Sequence, residues 1–503
     1  MTLSEIFLSY INAQTVMVCI VIYFLLSFSF KRRMNLPPGP WSLPLLGNIP
    51  ILAIGLYRTG VELPEHLLAE MAKKYGKVFK LKIGSKLIVV INGCEYIKEA
   101  FKNHHINDRP ESQLFQEVGL DDAMPITSGK SWKYQHTFTL HTFQTFGVGR
   151  SKFEGNIINE ANTLVEGIRD SKGNRFDPHI LIGNAVSNIT CSVVFGKRYD
   201  HADPEFQRII MLLYTMVNKM GSGGVVTFLP IAKYIFPEKY RDVSSAYSEF
   251  RTFIHNHVDE HQRKFDTDKM HDFIDVFLNE IELAKKETGD RTNYLHYKSL
   301  TATATFLFLA GTEPSTTTLR WALLYMMMHT EIQAKVQQEI DTIVGRMHMP
   351  QWSDRLLLPY TEAVLLEVQR IRTILALGTP HVASQDTKLA GYDIPKGTYV
   401  VSNVWALHND PDVWNEPDQF KPERFLDEDG KLCHREELIP FGTGNRVCAG
   451  ENLAKMELFL FFTYIMHSFT ITKPHDAKAP SMKGIGGFTF CPTLYELIAT
   501  DRK

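Results

Sequence analysis

The chain has 503 residues, of which 44% are hydrophobic and 22% charged, with a formal net charge of −2. That composition is ordinary for a globular protein and gives no reason to expect nucleic-acid binding. Cys19, Cys94, Cys191, Cys433, Cys448 and Cys491 are scattered without a pairing pattern, which points to a reducing compartment and against a disulfide scaffold.

From Ile6 to Phe30 there is no charged side chain, and Lys31-Arg32-Arg33 follows. The run is long enough to span a bilayer. Glu5 precedes it and the basic cluster comes after, the reverse of a cleaved signal. Residues 1–35 are therefore expected to be a single-pass signal anchor, with the rest of the chain in the cytosol. Leu36-Pro37-Pro38-Gly39-Pro40 and the run to Asn48 forbid helix, so 36–48 is predicted to be a stiff hinge and spacer. Val78–Ile83 alternates, turns at Gly84-Ser85 and resumes at Leu87–Ile91, a β-hairpin.

Helical spacing then recurs through Asn156–Ile168, Ile180–Phe195, Pro204–Lys219, Val243–Lys264, Lys298–Thr330, Glu331–Val344 and Tyr360–Arg372. The sequon at Asn188-Ile189-Thr190 lies inside one of these apolar patterns and reads as chance. No Gly/Ser linker or internal repeat interrupts the remainder. Residues 49–503 are expected to be one mainly α unit with small β-sheets, its core completed by a buried cofactor. Ile371–Ile439 is long and poor in helix, which is unusual without a functional reason.

Phe441-Gly442-Thr443-Gly444-Asn445-Arg446-Val447-Cys448-Ala449-Gly450 sets one cysteine on a glycine-rich turn, just before a helical pattern over Glu451–Phe469. Gly442, Gly444 and Gly450 allow the backbone to approach something flat. A thiolate at a helix mouth is favoured by free N–H groups and the helix dipole, and Arg446 adds positive charge nearby. Zinc would need several Cys or His at close spacing, and none are present. A buried structural cysteine on a tight turn is the plain alternative.

The complete F-x-x-G-x-R-x-C-x-G pattern resembles the haem-binding loop of the cytochrome P450 superfamily. The proline-rich hinge, Trp405-x-x-His408-x-Asp410-Pro411, Val193–Arg198 and Thr361–Val364 look like its microsomal, family-2-like clan. The resemblance implies the cytochrome P450 fold, a single large helical domain with haem b between a long distal helix and the proximal loop. Cys448 would be the axial ligand of the iron, with Ala310, Phe441 and Gly450 also at the cofactor. Glu367 and Arg370 stand at i, i+3, alone an ordinary surface pair. With Arg424 of Pro422-Glu423-Arg424-Phe425 they resemble the E-x-x-R plus P-E-R-F set, a buried ion network that would hold the loop presenting Cys448. The family places W-x-x-x-R at the haem propionates. Trp132 matches, and His136 stands where arginine is expected. Arg446 and His381 are the other candidates, although a satisfied loop histidine explains His381 as well.

Ala310-Gly311-Thr312-Glu313-Pro314-Ser315-Thr316 resembles the A-G-x-[DE]-T stretch that faces dioxygen. Gly311 is expected to leave room for the gas and Glu313 to pass protons, with Thr312 beside it. Pro314 replaces the threonine that positions the proton-delivering water, a general-acid task. Proline also clashes with the carbonyl one turn back, so a local bend is expected. Ser315, Thr312 or a water would then deliver the proton.

By resemblance, the activity is monooxygenation of a lipophilic fatty acid, steroid or xenobiotic at the endoplasmic reticulum membrane. No G-x-G-x-x-G follows a strand, so electrons must come from a separate partner. NADPH-cytochrome P450 reductase is implied, with cytochrome b5 as a second donor. Lys130, Lys133, Lys152, Lys431, Arg435 and Lys455 would form its docking face, and a solvated charged surface explains them equally. The substrate pocket would be lined from Leu114–Met124, Phe306–Ala310, Ile374–Leu377 and Gly486–Phe488. The Gly221–Gly224 turn with the apolar runs to Phe236 would either dip into the bilayer or pack in the core. Two alternatives to the monooxygenase stand. One is a reductase-independent isomerase or dehydratase of a lipid peroxide, suggested by Pro314. The other is a non-catalytic haem- or lipid-binding protein.

Overall fold

The computed structural model describes residue 18 and residues 34–59, 63–219, 232–286 and 289–502. The expected anchor, its basic stop and most of the 221–236 run lie outside the described residues. Among those described, no helix is long and apolar enough to cross a membrane.

The alternating segment folds as an antiparallel hairpin of β1 (Val78–Ile83) and β2 (Lys86–Ile91). Two later strands, β3 (His381–Val382) and β4 (Tyr399–Ser402), complete a sheet in the order β1-β2-β4-β3. β2 and β4 are parallel, with Val89 opposite Val400. The proline-rich segment is not a free spacer. It lies along β1, where Lys80 donates from Nζ to the Pro37 carbonyl (2.6 Å) and from its backbone N–H to Pro38 (2.7 Å). A Cβ on Gly39 would stand 2.1 Å from the Lys80 carbonyl, so only glycine permits this approach.

Seven helices position the site, numbered among themselves: α1 (Gly129–Phe146), α2 (Pro178–Val194), α3 (Pro204–Lys219), α4 (Pro237–Lys264), α5 (Tyr297–Met328), α6 (Pro359–Ile371) and α7 (Glu451–Ser468). Asp177 caps α2 by accepting the His179 N–H, ahead of Pro178 at the first helical position. His296 and Ser299 form a reciprocal cap on α5. α5 and α7 are apolar around most of their circumference, so both are buried at the centre of the molecule rather than amphipathic at its edge. One core cluster joins α2, α6, α7 and the C-terminal half of α5; another joins α3, α4 and its N-terminal half.

The expected helices occur close to their predicted bounds. Helices over Ile49–Thr59, Pro64–Tyr75, Cys94–Lys102, Gly129–Phe146 and Phe273–Lys286 went unread in the periodicity. α5 runs through Pro314 without a break in its helical assignment. Asn188 is buried, with its amide nitrogen on the Tyr199 carbonyl at 2.9 Å, so the sequon is structural. The five described cysteines are all unpaired.

Candidate active site

The loop from Phe441 to Gly450 is shaped by backbone hydrogen bonds. The Cys448 N–H donates to the Phe441 carbonyl (3.0 Å) and the Gly442 N–H to Ile439 (3.0 Å). Gly442 and Gly444 have φ of 77° and 78°, and a Cβ on Gly444 would meet the Phe101 carbonyl at 2.2 Å. Gly450 is different: its Cβ would make only ordinary contact with Cys448 Sγ, at 3.9 Å. Cys448 is exposed by surface area, yet burial pushes its thiol pKa up, opposed by the Gly450 N–H. Dense surroundings and an exposed sulfur together describe a group lining an opening inside the body.

Arg446 reaches instead toward α1. Its Nε donates to the Asn107 carbonyl (3.0 Å), its Nη2 to Thr127 (2.7 Å), and its guanidinium lies 4.1 Å from the Trp132 ring centroid. Nη1 is buried without a partner among the described residues. Arg109, unread in the sequence, donates to the carbonyls of Pro125, Thr379 and Pro380. Burial, with a smaller push from Arg109, holds Arg446 down at about 8; burial holds Arg109 at about 10, and both guanidiniums add to the burial that lowers His381. His381 stacks on Phe101, with Nδ1 2.7 Å from the Ile106 carbonyl, and is held neutral by burial and by Arg109. His136 leans on Trp132 at 5.1 Å, its pKa lowered by burial and by Arg446. Two crowded guanidiniums that bond only to carbonyls, one with a buried N–H unused, fit a group bringing two carboxylates.

The predicted ion network is buried and complete. Arg370 meets Glu367 through Nε (2.7 Å) and Nη2 (2.8 Å), and Arg424 Nε donates to Glu367 Oε1 (3.1 Å). Arg370 Nη1 also donates to the His408 carbonyl (2.8 Å). His408 Nε2 accepts the Ile439 N–H at 3.0 Å, and Ile439 accepts Gly442. An unbroken chain of bonds thus runs from α6 to the cysteine loop.

On α5 the side chains turn differently from expectation. A Cβ on Gly311 would stand 2.6 Å from Thr190 Oγ1, so this glycine serves close packing against α2 and not a gas pocket. Ser315 donates to Glu457 Oε2 on α7 at 2.8 Å, and burial pushes that acid up to about 8. Glu313 Oε1 accepts from Thr317 and Thr489 (each 2.7 Å) and from Cys491 Sγ (3.4 Å), and burial raises its pKa. Thr489 and Cys491 belong to the hairpin of β5 (Ile485–Gly486) and β6 (Phe490–Cys491). Ala310, by contrast, is exposed within an otherwise buried run. Of the expected lining, Phe115 and Phe306 meet edge to face at 5.2 Å, and Phe490 N–H donates to Ile374 at the hairpin.

The family model described as Cytochrome P450 matches residues 37–499, and the chain belongs to that family of monooxygenase enzymes, which use haem b with electrons from NADPH through a reductase. Within it the chain is similar to cytochrome P450 2J2 of Homo sapiens, 38% identical over 498 residues covering 98% of this chain and 97% of that protein. It is similar too to cytochrome P450 2J3 of Rattus norvegicus, at 39% over 94% of this chain and 92% of that one. Cytochrome P450 2U1 of Homo sapiens is 34% identical over 95% and 92%. These are family-2 relatives, as the hinge and Trp405 motifs imply.

Proposed function

We propose that this chain is a haem-thiolate monooxygenase of lipophilic small molecules, in the fatty acid, steroid or xenobiotic class. It is anchored in the endoplasmic reticulum membrane by residues 1–35, with 36–48 as hinge and 49–503 as the cytosolic catalytic domain. NADPH-cytochrome P450 reductase supplies electrons, with cytochrome b5 as a second donor. The observation that carries the reading is Cys448, an exposed sulfur enclosed by protein on a loop tied to a buried ion network.

When bound, haem supplies dioxygen activation, promoted by a thiolate ligand. Cys448 would hold the haem iron through its sulfur, and the Gly450 N–H would temper that sulfur's charge. Arg109, Arg446 and Trp132 would hold its propionate edge, with His381 and His136 packed beside them. Glu313 is the acid that holds and releases protons. Phe115, Phe306 and Ile374 supply apolar walls that fit a lipophilic substrate. Lys133 is exposed, while Lys130, Lys431, Arg435 and Lys455 each sit beside an acid on the surface. These pairs break readily, which suits a docking face for an acidic partner. The Lys152 side chain lies outside the described residues. In the test, Cys448→Ser should abolish the red-shifted absorption that a thiolate gives the reduced carbon monoxide complex. Retention of that band by the variant would overturn the ligand assignment.

One observation favours a second reading. Pro314 removes the threonine hydroxyl, and Ser315 is committed to Glu457, so that replacement donor is turned away. A reductase-independent isomerase of a lipid peroxide needs no such donor. Turnover of a lipid hydroperoxide without reductase, together with no NADPH-dependent product, would decide for it.

A further inference from the structure

Behind α5, on the side that packs against α2 and α3, lies a cavity of about 30 Å³. A water needs roughly 10–15 Å³ and two to four polar partners, so there is room for one or two. Four residues lining this cavity carry buried polar atoms with no partner among the described residues: Thr312 Oγ1, Glu313 Oε2, Arg320 Nε and Asn218 Oδ1. Thr312 and Arg320 are 3% and 1% exposed. Orphaned buried donors and acceptors are costly, and four around one small void call for water. Among the described residues, the Arg320 guanidinium donates to the Pro492 carbonyl through Nη2 at 3.2 Å, and its own carbonyl accepts from Tyr495. The outer wall is formed by His179 and Tyr214, half-buried with rings 4.7 Å apart. Exposed Ile180 and Met211 flank them in sequence.

We propose that this cavity is a hydrated proton-entry site, in which water bridges Arg320 Nε to Glu313 Oε2 and is replenished from solvent past His179 and Tyr214. The inference rests on Glu313 being the distal acid and assigns its supply. A proton passes from solvent to the cavity water and from that water to the Glu313 carboxylate. Each proton that leaves Glu313 for the distal side is replaced by one from the cavity water, and no electron or heavy atom moves in the transfer. Thr317, Thr489 and Cys491 hold Oε1, which leaves Oε2 as the oxygen that takes the proton. Arg320 is a positioning residue: its N–H orients the water's lone pair, so that the water's own hydrogen points at the carboxylate.

Gly183 offers a clean test, because a Cβ there meets Ile210 Cγ2 at 3.5 Å and Thr316 Cγ2 at 3.9 Å, ordinary contacts. Gly→Ala within a helix favours folding, so Gly183→Ala occupies the cavity without threatening the fold. Asn218→Leu is the second variant, removing one water partner. The crystal structure of the full-length holoenzyme should show ordered water between Arg320 and Glu313, absent in Gly183→Ala. Both variants should release at least threefold more hydrogen peroxide per product, with substrate KM unchanged. A dry cavity in the wild type would overturn the site. Ordered water with coupling unchanged in both variants would overturn its role in proton supply. Coupling unchanged in Glu313→Gln would instead remove the assignment of Glu313 as distal acid, a separate failure.

Discussion

Pro314 is the residue at which this chain departs most from its family pattern, and its effect is local and double. It lacks the hydroxyl that would position a water, and it lacks the N–H that would bond to the Ala310 carbonyl. Pro314→Thr should raise product formed per NADPH several-fold and lower peroxide release; each tenfold shift between the two fates corresponds to about 1.4 kcal/mol. The same substitution restores a helical hydrogen bond and should raise stability by up to about 3 kcal/mol. Tight coupling in the wild type that the substitution leaves unchanged would show that water already does the threonine's work. A second prediction concerns Arg109 and Arg446. If they hold the propionates as proposed, replacing either by Leu should speed haem transfer to an acceptor globin by about tenfold or more, because charge-assisted bonds would be lost. Arg446→Lys should not restore retention, because only the fork spans the carbonyls of Asn107 and Thr127.

At the scale of elements, α6 acts on the cysteine loop through His408. Its Nε2 accepts the Ile439 N–H, so the proton must sit on Nδ1, facing Thr373 Oγ1 at 2.8 Å. Burial and Arg370 push its pKa down from 6.5 to about 3. Below pH 6.5 the unfolded chain takes up a proton that the folded chain refuses. Stability is therefore full above pH 6.5 and is lost as pH falls toward 3. At pH 4.5 the loss amounts to roughly 2–3 kcal/mol. His408→Gln removes this slope, so the wild type's advantage in urea melts should be largest at pH 7 and shrink by pH 4.5; a constant gap would exclude the mechanism. Arg370→Met strands Glu367 in the core and should cost roughly 3–5 kcal/mol. Cys448 should then lose its thiolate-type spectrum before α-helical circular dichroism is lost.

For the whole molecule, the packed hinge has a mechanical consequence. Because Pro37 and Pro38 are bonded to Lys80, the entry of the chain into the body is held at one edge of the sheet. An anchor preceding it would orient the catalytic unit against the membrane. Deleting residues 1–30 should free the protein from membranes partly or wholly while haem incorporation survives. Protease protection of the catalytic unit in sealed microsomes would contradict the cytosolic orientation.

Much of this was legible in the linear chain because it rests on local rules. The cysteine loop is contiguous, so its glycines, its arginine and its thiol declare themselves together, and i, i+3 spacing alone placed Glu367 beside Arg370. Helices with clear apolar periodicity were bounded within a few residues. What only the tertiary structure decided is direction and partnership. Arg109 gave no signal beyond an arginine before Pro110; its meaning arises because the folded chain brings Arg446 and His381, more than 270 positions away, to the same buried edge. Gly311, Glu313 and Ser315 were read correctly as residue types and incorrectly as a shared face. Gly311, Glu313 and Ser315 lie within little more than one turn of helix, yet they meet α2, the β5–β6 hairpin and α7 respectively, and a 100° rotation per residue cannot be assigned to partners without knowing what each face packs against.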